Sequence, residues 1–168
     1  MTHPLVLQLR FTRGEFVRGL KEVTPEEAVR RFIPINSLSW MIGHVAHLEQ
    51  AYWLTRAQGV TPLPELRDLV GFGKPATTPP LEDMWAAWRQ ITAASDPYLD
   101  TLTNDHMTTH LVINEKPHPE SIGTMLMRDI YHYWYHLGEA QAVRQLLGHT
   151  NLPVFVGALG TDAPYTPE

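Results

Sequence analysis

From Ile122 to Leu147 the chain runs without a proline, and Ile122, Met125, Leu126, Tyr133, Ala140, Val143 and Leu147 recur at helical spacing. Ser121 offers an N-cap oxygen and Gly148 a stop signal. A helix this long with an apolar stripe needs other helices to cover that stripe, which points to a helical bundle.

The remaining sequence supplies candidates. Residues 5–22 read as a helix carrying Leu5, Leu9, Phe16 and Leu20. Thr24-Pro25-Glu26-Glu27 has the form of a capping box and predicts a short helical segment reaching Phe32. Asn36 and Ser37 can cap a long helix over 38–58, stopped at Gly59. Residues 59–80, with Pro62, Pro64, Gly71, Gly73, Pro75, Pro79 and Pro80, read as a loop long enough to cover a site. A third long helix is expected over 81–103, kinked or interrupted at Pro97. Met107 to Ile113 suits an extended segment, Pro117 and Pro119 a loop, and the tail with Pro153, Pro164 and Pro167 a non-helical end. The expected fold is all-α with no sheet: one domain over 1–168, a four-helix bundle of up-and-down or crossover form. A long loop should separate the second and third long helices.

Hydrophobic residues at 43% and charged residues at 18% suit a globular chain. A net charge of −5 disfavours nucleic acid as a partner. No apolar run approaches the ~20 residues that cross a bilayer, so no membrane partner is expected. The first residues lack a basic stretch followed by an apolar one and a cleavage site, which predicts a cytoplasmic protein. There is no cysteine, so a metal must be held by imidazole, carboxylate or backbone oxygen.

Nine histidines make their placement the main question. On a helical wheel His44 lies roughly 90° from the centre of its apolar stripe and His47 about 150° away, which favours His44 as the inward one. In the last helix His136 lies about 40° from the stripe's centre, His132 about 80° and Asp129 about 20°. His132 and His136, at i and i+4, place their Cβ atoms roughly 5–6 Å apart. That spacing lets both rings reach one divalent ion at about 2.0–2.1 Å, with His44 the natural third ligand. His132-Tyr133-Trp134-Tyr135-His136 lacks the glutamate of a His-Glu-x-x-His protease motif. His3, His106, His110, His118 and His149 fall in or near irregular segments and read as incidental.

Leu38-Ser39-Trp40-Met41-Ile42-Gly43-His44-Val45-Ala46-His47-Leu48-Glu49 resembles the second-helix signature of the DinB-like metalloenzyme superfamily. His132 through Glu139 resembles its second motif, two histidines in i and i+4 followed by glycine. The resemblance implies a four-helix bundle with a three-histidine site formed by His44, His132 and His136, usually in a homodimer. It also implies a small-molecule substrate. Some members are transferases or isomerases that use a low-molecular-weight thiol such as bacillithiol or mycothiol. Relatives often carry glutamine where this chain has Glu139.

Three imidazoles suit zinc, nickel, iron or cobalt and leave coordination positions open. The expected enzyme activates a thiol, or water in a hydrolase, at that ion. Asp129, Glu139 and Glu49 are the candidate catalytic or orienting carboxylates. The competing expectation is a non-catalytic bundle that binds a metal or senses a ligand.

Overall fold

The computed structural model describes residues 2–166. Its elements are mostly helical: α1 (Pro4–Gly19), α2 (Pro25–Ala28), α3 (Leu38–Glu49), α4 (Leu66–Val70), α5 (Leu81–Leu99), α6 (Asn104–Met107), α7 (Ile122–Leu146) and α8 (Leu159–Asp162). A π-helical stretch, Gln50–Arg56, continues α3 without a break. α3 packs against α5, α4 and α7, and α1 packs against α7. Between them lies a connected apolar core that includes Leu9, Phe16, Met41, Val45, Trp53, Met125, Tyr133 and Val143.

The capping signals operate as expected. Ser37 Oγ accepts the Trp40 N–H at 3.2 Å and so starts α3. Thr24 and Glu27 close the capping box of α2, and Gly148 ends α7 at φ +94°.

Four local expectations are corrected. The 59–80 segment is not loop throughout, because Leu66 and Val70 are buried and fold α4 against α3. The third long helix ends at Leu99, and it passes through Pro97, which sits so near the C-terminus that little of the hydrogen-bond ladder is lost. A sheet is present: β1 (His110–Ile113) and β2 (Lys116–Ser121) form an antiparallel hairpin. Its turn is Asn114-Glu115, both in left-handed conformation. The tail holds the single turn α8, while Pro167 lies outside the described residues.

The π-helical stretch was not legible in the sequence. Along it Gln50, Tyr52, Trp53 and Leu54 are buried. Trp53 donates its indole N–H to Asp129 Oδ2 at 2.7 Å.

Glu49 ends α3 at the core, fully buried. Its partner is Arg13 of α1, which falls on the same stripe as Leu9, Phe16 and Leu20. Arg13 Nε donates to Glu49 Oε1 at 2.8 Å and its Nη2 to Oε2. The Tyr133 hydroxyl also donates to Glu49 Oε1, and Trp88 Nε1 donates to that hydroxyl at 2.7 Å. Arg13 Nη1 reaches Asp96 of α5 at 2.8 Å. This one guanidinium therefore ties α1 to both α3 and α5.

A buried charge left without its partner is far costlier than a pair replaced by apolar groups. Arg13→Met should destabilise the fold by about 3–5 kcal/mol, and adding Glu49→Gln should recover part of that loss. Urea denaturation of the two variants beside the wild type reads the difference.

Candidate metal centre

His44 projects from the middle of α3, and His132 and His136 from successive turns of α7. His44 and His136 are buried and His132 is half-buried. One nitrogen from each ring lies within 4.8 Å of the other two, the arrangement of a possible three-histidine metal site. Nε2 of His132 and Nε2 of His136 stand 3.1 Å apart, a separation that suits two ligands about 2.0–2.1 Å from one ion. The His44 ring centroid is 4.9 Å from that of His132 and 5.0 Å from that of His136.

The far nitrogens decide which tautomer is present. His44 Nδ1 lies 2.7 Å from the Val70 carbonyl, which can only accept, so the proton sits on Nδ1 and Nε2 keeps its lone pair. His136 Nδ1 donates likewise to Glu139 Oε2 at 2.9 Å. Two of the three rings are thus held with a bare Nε2, the form a metal ligand requires.

Charge is also removed. Burial, more than any other cause, lowers the pKa of His44 to about 4 and that of His132 to about 3. The Val70 hydrogen bond opposes that shift in His44, and the neighbouring His136 reinforces it in both. Both rings are therefore neutral at pH 7, ready to coordinate. The donor set fits a divalent transition metal on three independent grounds: neutral rings, fixed tautomers and converging nitrogens.

Trp40 lies flat on His44, ring centroids 4.4 Å apart and planes at 16°, and meets His136 edge-on at 6.2 Å. It covers one flank of the cluster. Among the described residues the buried side-chain atoms without a partner are His3 Nε2, Trp40 Nε1, His47 Nδ1, Asp129 Oδ1, His132 Nδ1 and Gln141 Oε1. Four of these sit on α3 or the adjoining turns of α7, within four residues of a cluster histidine. Unsatisfied buried groups mark places where water, an ion or a ligand belongs.

Gly43 explains how α4 reaches the site. A Cβ there would collide with Met84 Sδ and stand 3.1 Å from Val70 Cγ1. Glycine lets α4 come close enough for the Val70 carbonyl to meet His44.

The structure brings His44, His132, His136 and Glu139 together. It places the other two candidate carboxylates elsewhere, Glu49 on Arg13 and Tyr133, and Asp129 on Trp53. His47 is half-buried rather than on the surface, and burial, then Arg67 and Arg56, lowers its pKa. The remaining histidines have structural partners: His3 caps α1 through the Leu5 N–H, and His149 bridges Arg144 and Glu27. The Val70 carbonyl, the Trp40 stack and Arg13 were missed from sequence. Gly43 beside His44 and an arginine within the stripe of α1 were the available signals.

Beside His132, the residues Thr124, Met127, Arg128, Tyr131 and Tyr135 line an open groove of about 480 Å³. Arg128 is held by Glu120 at 2.8 and 3.0 Å, so the groove offers mainly apolar and aromatic surface. Two larger hollows, of about 750 and 650 Å³, flank His3 and share no residue with the cluster. Neither gathers a comparable set of ligand atoms, so the smaller groove is the one relevant to metal chemistry.

Two outcomes follow from this geometry. Gly43→Val should push α4 away, release His44 and weaken metal affinity about 10–100-fold, read by competition with a chromophoric chelator. In metal-free protein the unfolded chain protonates His44 and His132 near pH 6.5 while the native rings resist until about 4 and 3. Stability should therefore be full above pH 6.5 and fall as pH drops toward 4, by up to about 1.4 kcal/mol per unit per histidine. Denaturation curves at several pH values in the presence of a chelator measure that slope.

No curated protein matches the chain. A family model described as mycothiol-S-transferase matches residues 5–148, the span that contains both histidine motifs and, but for Pro4, all four long helices. The chain belongs to the mycothiol S-transferase family, within the DinB-like superfamily.

Proposed function

We propose that this chain is a divalent-metal-dependent S-transferase that joins a low-molecular-weight thiol of the mycothiol type to a small electrophile. The observation that carries the reading is the convergence of three imidazoles, two of them locked with a bare Nε2. The family match supplies the reaction class.

In this reading His44, His132 and His136 hold the ion, and it is zinc, nickel, iron or cobalt. Such an ion, when bound with a free coordination position, lowers the pKa of a thiol that reaches it. The absence of cysteine from the chain is in keeping with a thiol that arrives as cosubstrate. The Val70 carbonyl and Glu139 orient His44 and His136, and the indole of Trp40 shields the pair from water. Glu139 is also the carboxylate best placed to move a proton, since it alone of the three candidates bonds a cluster ring. Glu49 has both oxygens engaged by Arg13, and the proposal gives it a structural role. The electrophile lies in the groove of Met127, Tyr131 and Tyr135, whose rings favour an apolar or aromatic acceptor.

The proposal extends to the whole molecule. The four long helices α1, α3, α5 and α7 make a four-helix bundle in a single cytoplasmic domain, supported by the connected core and by Arg13 bridging three of them. Among the described residues no helix is long and apolar enough to cross a membrane. A homodimer is proposed from the family.

Native mass spectrometry of the untagged protein tests the reading. It should show a dimer with one divalent ion per chain, and His132→Ala and His136→Ala should each lose the ion together with S-transfer from mycothiol to an aryl or alkyl halide. A wild type that neither carries nor takes up zinc, nickel, iron or cobalt would refute it.

A further inference from the structure

We infer that Asp129 is a positioning residue for His132, acting on its ring through one buried water. The inference rests on the metal reading above and adds a component to it. His44 and His136 each have an acceptor for the Nδ1 proton, the Val70 carbonyl and the Glu139 carboxylate. His132 has none, and its Nδ1 is buried without a partner. One helical turn earlier on α7, Asp129 Oδ1 is also buried without a partner. Residues at i and i+3 on a helix hold their Cβ atoms about 5–6 Å apart. The two orphan atoms form no direct hydrogen bond, and a single water is the natural way to satisfy both.

The local structure holds Asp129 for this task. Its other oxygen, Oδ2, accepts the Trp53 indole N–H at 2.7 Å, which leaves Oδ1 as the free atom. Trp53 lies in the π-helical stretch and is itself fully buried, which fixes its indole against Oδ2. The water accepts the His132 Nδ1–H and bonds in turn to Oδ1, so Nε2 of His132 is left bare like those of His44 and His136. Burial, then the charge of Glu49, raises the Asp129 pKa well above the ordinary carboxylate value. All three histidines then share one scheme, each ring oriented from behind by a different kind of oxygen.

The test compares wild type with Asp129→Asn and Asp129→Leu. Zinc affinity is measured by chelator competition, the cobalt-substituted absorption spectrum is recorded, and near-ultraviolet circular dichroism confirms the fold. Asp129→Leu should bind zinc about 10–100-fold more weakly and shift the cobalt bands, whereas Asp129→Asn, which keeps an oxygen for the water, should stay within a few-fold. A folded Asp129→Leu protein with wild-type affinity and spectrum overturns the assignment, because a merely structural role would lower only stability. If Asp129→Leu does not fold, a high-resolution crystal structure of the zinc-loaded wild type decides. A water bonded to both His132 Nδ1 and Asp129 Oδ1 supports the inference, and its absence overturns it. A wild type that binds no metal removes the metal reading and this inference together. Normal wild-type binding with an indifferent Asp129→Leu removes this inference alone.

Discussion

Everything at the candidate site depends on burying imidazole rings without protonating them. An imidazolium placed between two others in an apolar setting would be repelled by its neighbours and stripped of water. Burial pushes His44 and His132 far enough down that the charged form is absent at neutral pH. A neutral ring must still place its one proton, and the surroundings choose where. The Val70 carbonyl and Glu139 each demand the proton on Nδ1, so the lone pairs face inward. Rings with inward lone pairs suit a cation.

The scaffold around the rings is unusually polar for a helical core. Arg13, Glu49, Tyr133 and Trp88 form one chain of hydrogen bonds, and Asp129 with Trp53 forms another nearby. Each contains a residue from α7 and a residue from α3 or its π-helical continuation, so the two helices that carry the histidines are fixed by directional contacts as well as by packing. Directional contacts specify register, which apolar packing alone does less well. A three-point ligand set from two helices needs that register, since a shift of one residue would turn His44 by about 100°. α4 adds a third support, held close by Gly43, and it delivers a backbone carbonyl whose position depends on no side-chain rotamer.

The sequence made much of this legible. Apolar periodicity in 122–147 and the Thr24 and Ser37 caps located helices correctly, because those signals are local. His44 over His47, and the inward placement of His132 and His136, followed from wheel geometry. What stayed hidden was non-local or irregular. α4 is stabilised by burial of Leu66 and Val70 against α3, which a proline-rich stretch does not advertise. The hairpin of β1 and β2 contains two prolines in one strand and pairs through backbone atoms. The π-helical stretch leaves no period of its own in the sequence. Glu49 looked like a catalytic group because a carboxylate at the centre of an apolar stripe needs a reason. The reason given by the fold is Arg13, more than thirty residues away.

X-ray absorption at the edge of the bound metal, with and without mycothiol, tests the central claim most directly. The account predicts three imidazole nitrogens at about 2.0–2.1 Å, with a sulfur joining the shell near 2.3 Å once the thiol is added. A shell built from carboxylate oxygens, or one of three nitrogens that does not change at saturating thiol, would contradict it.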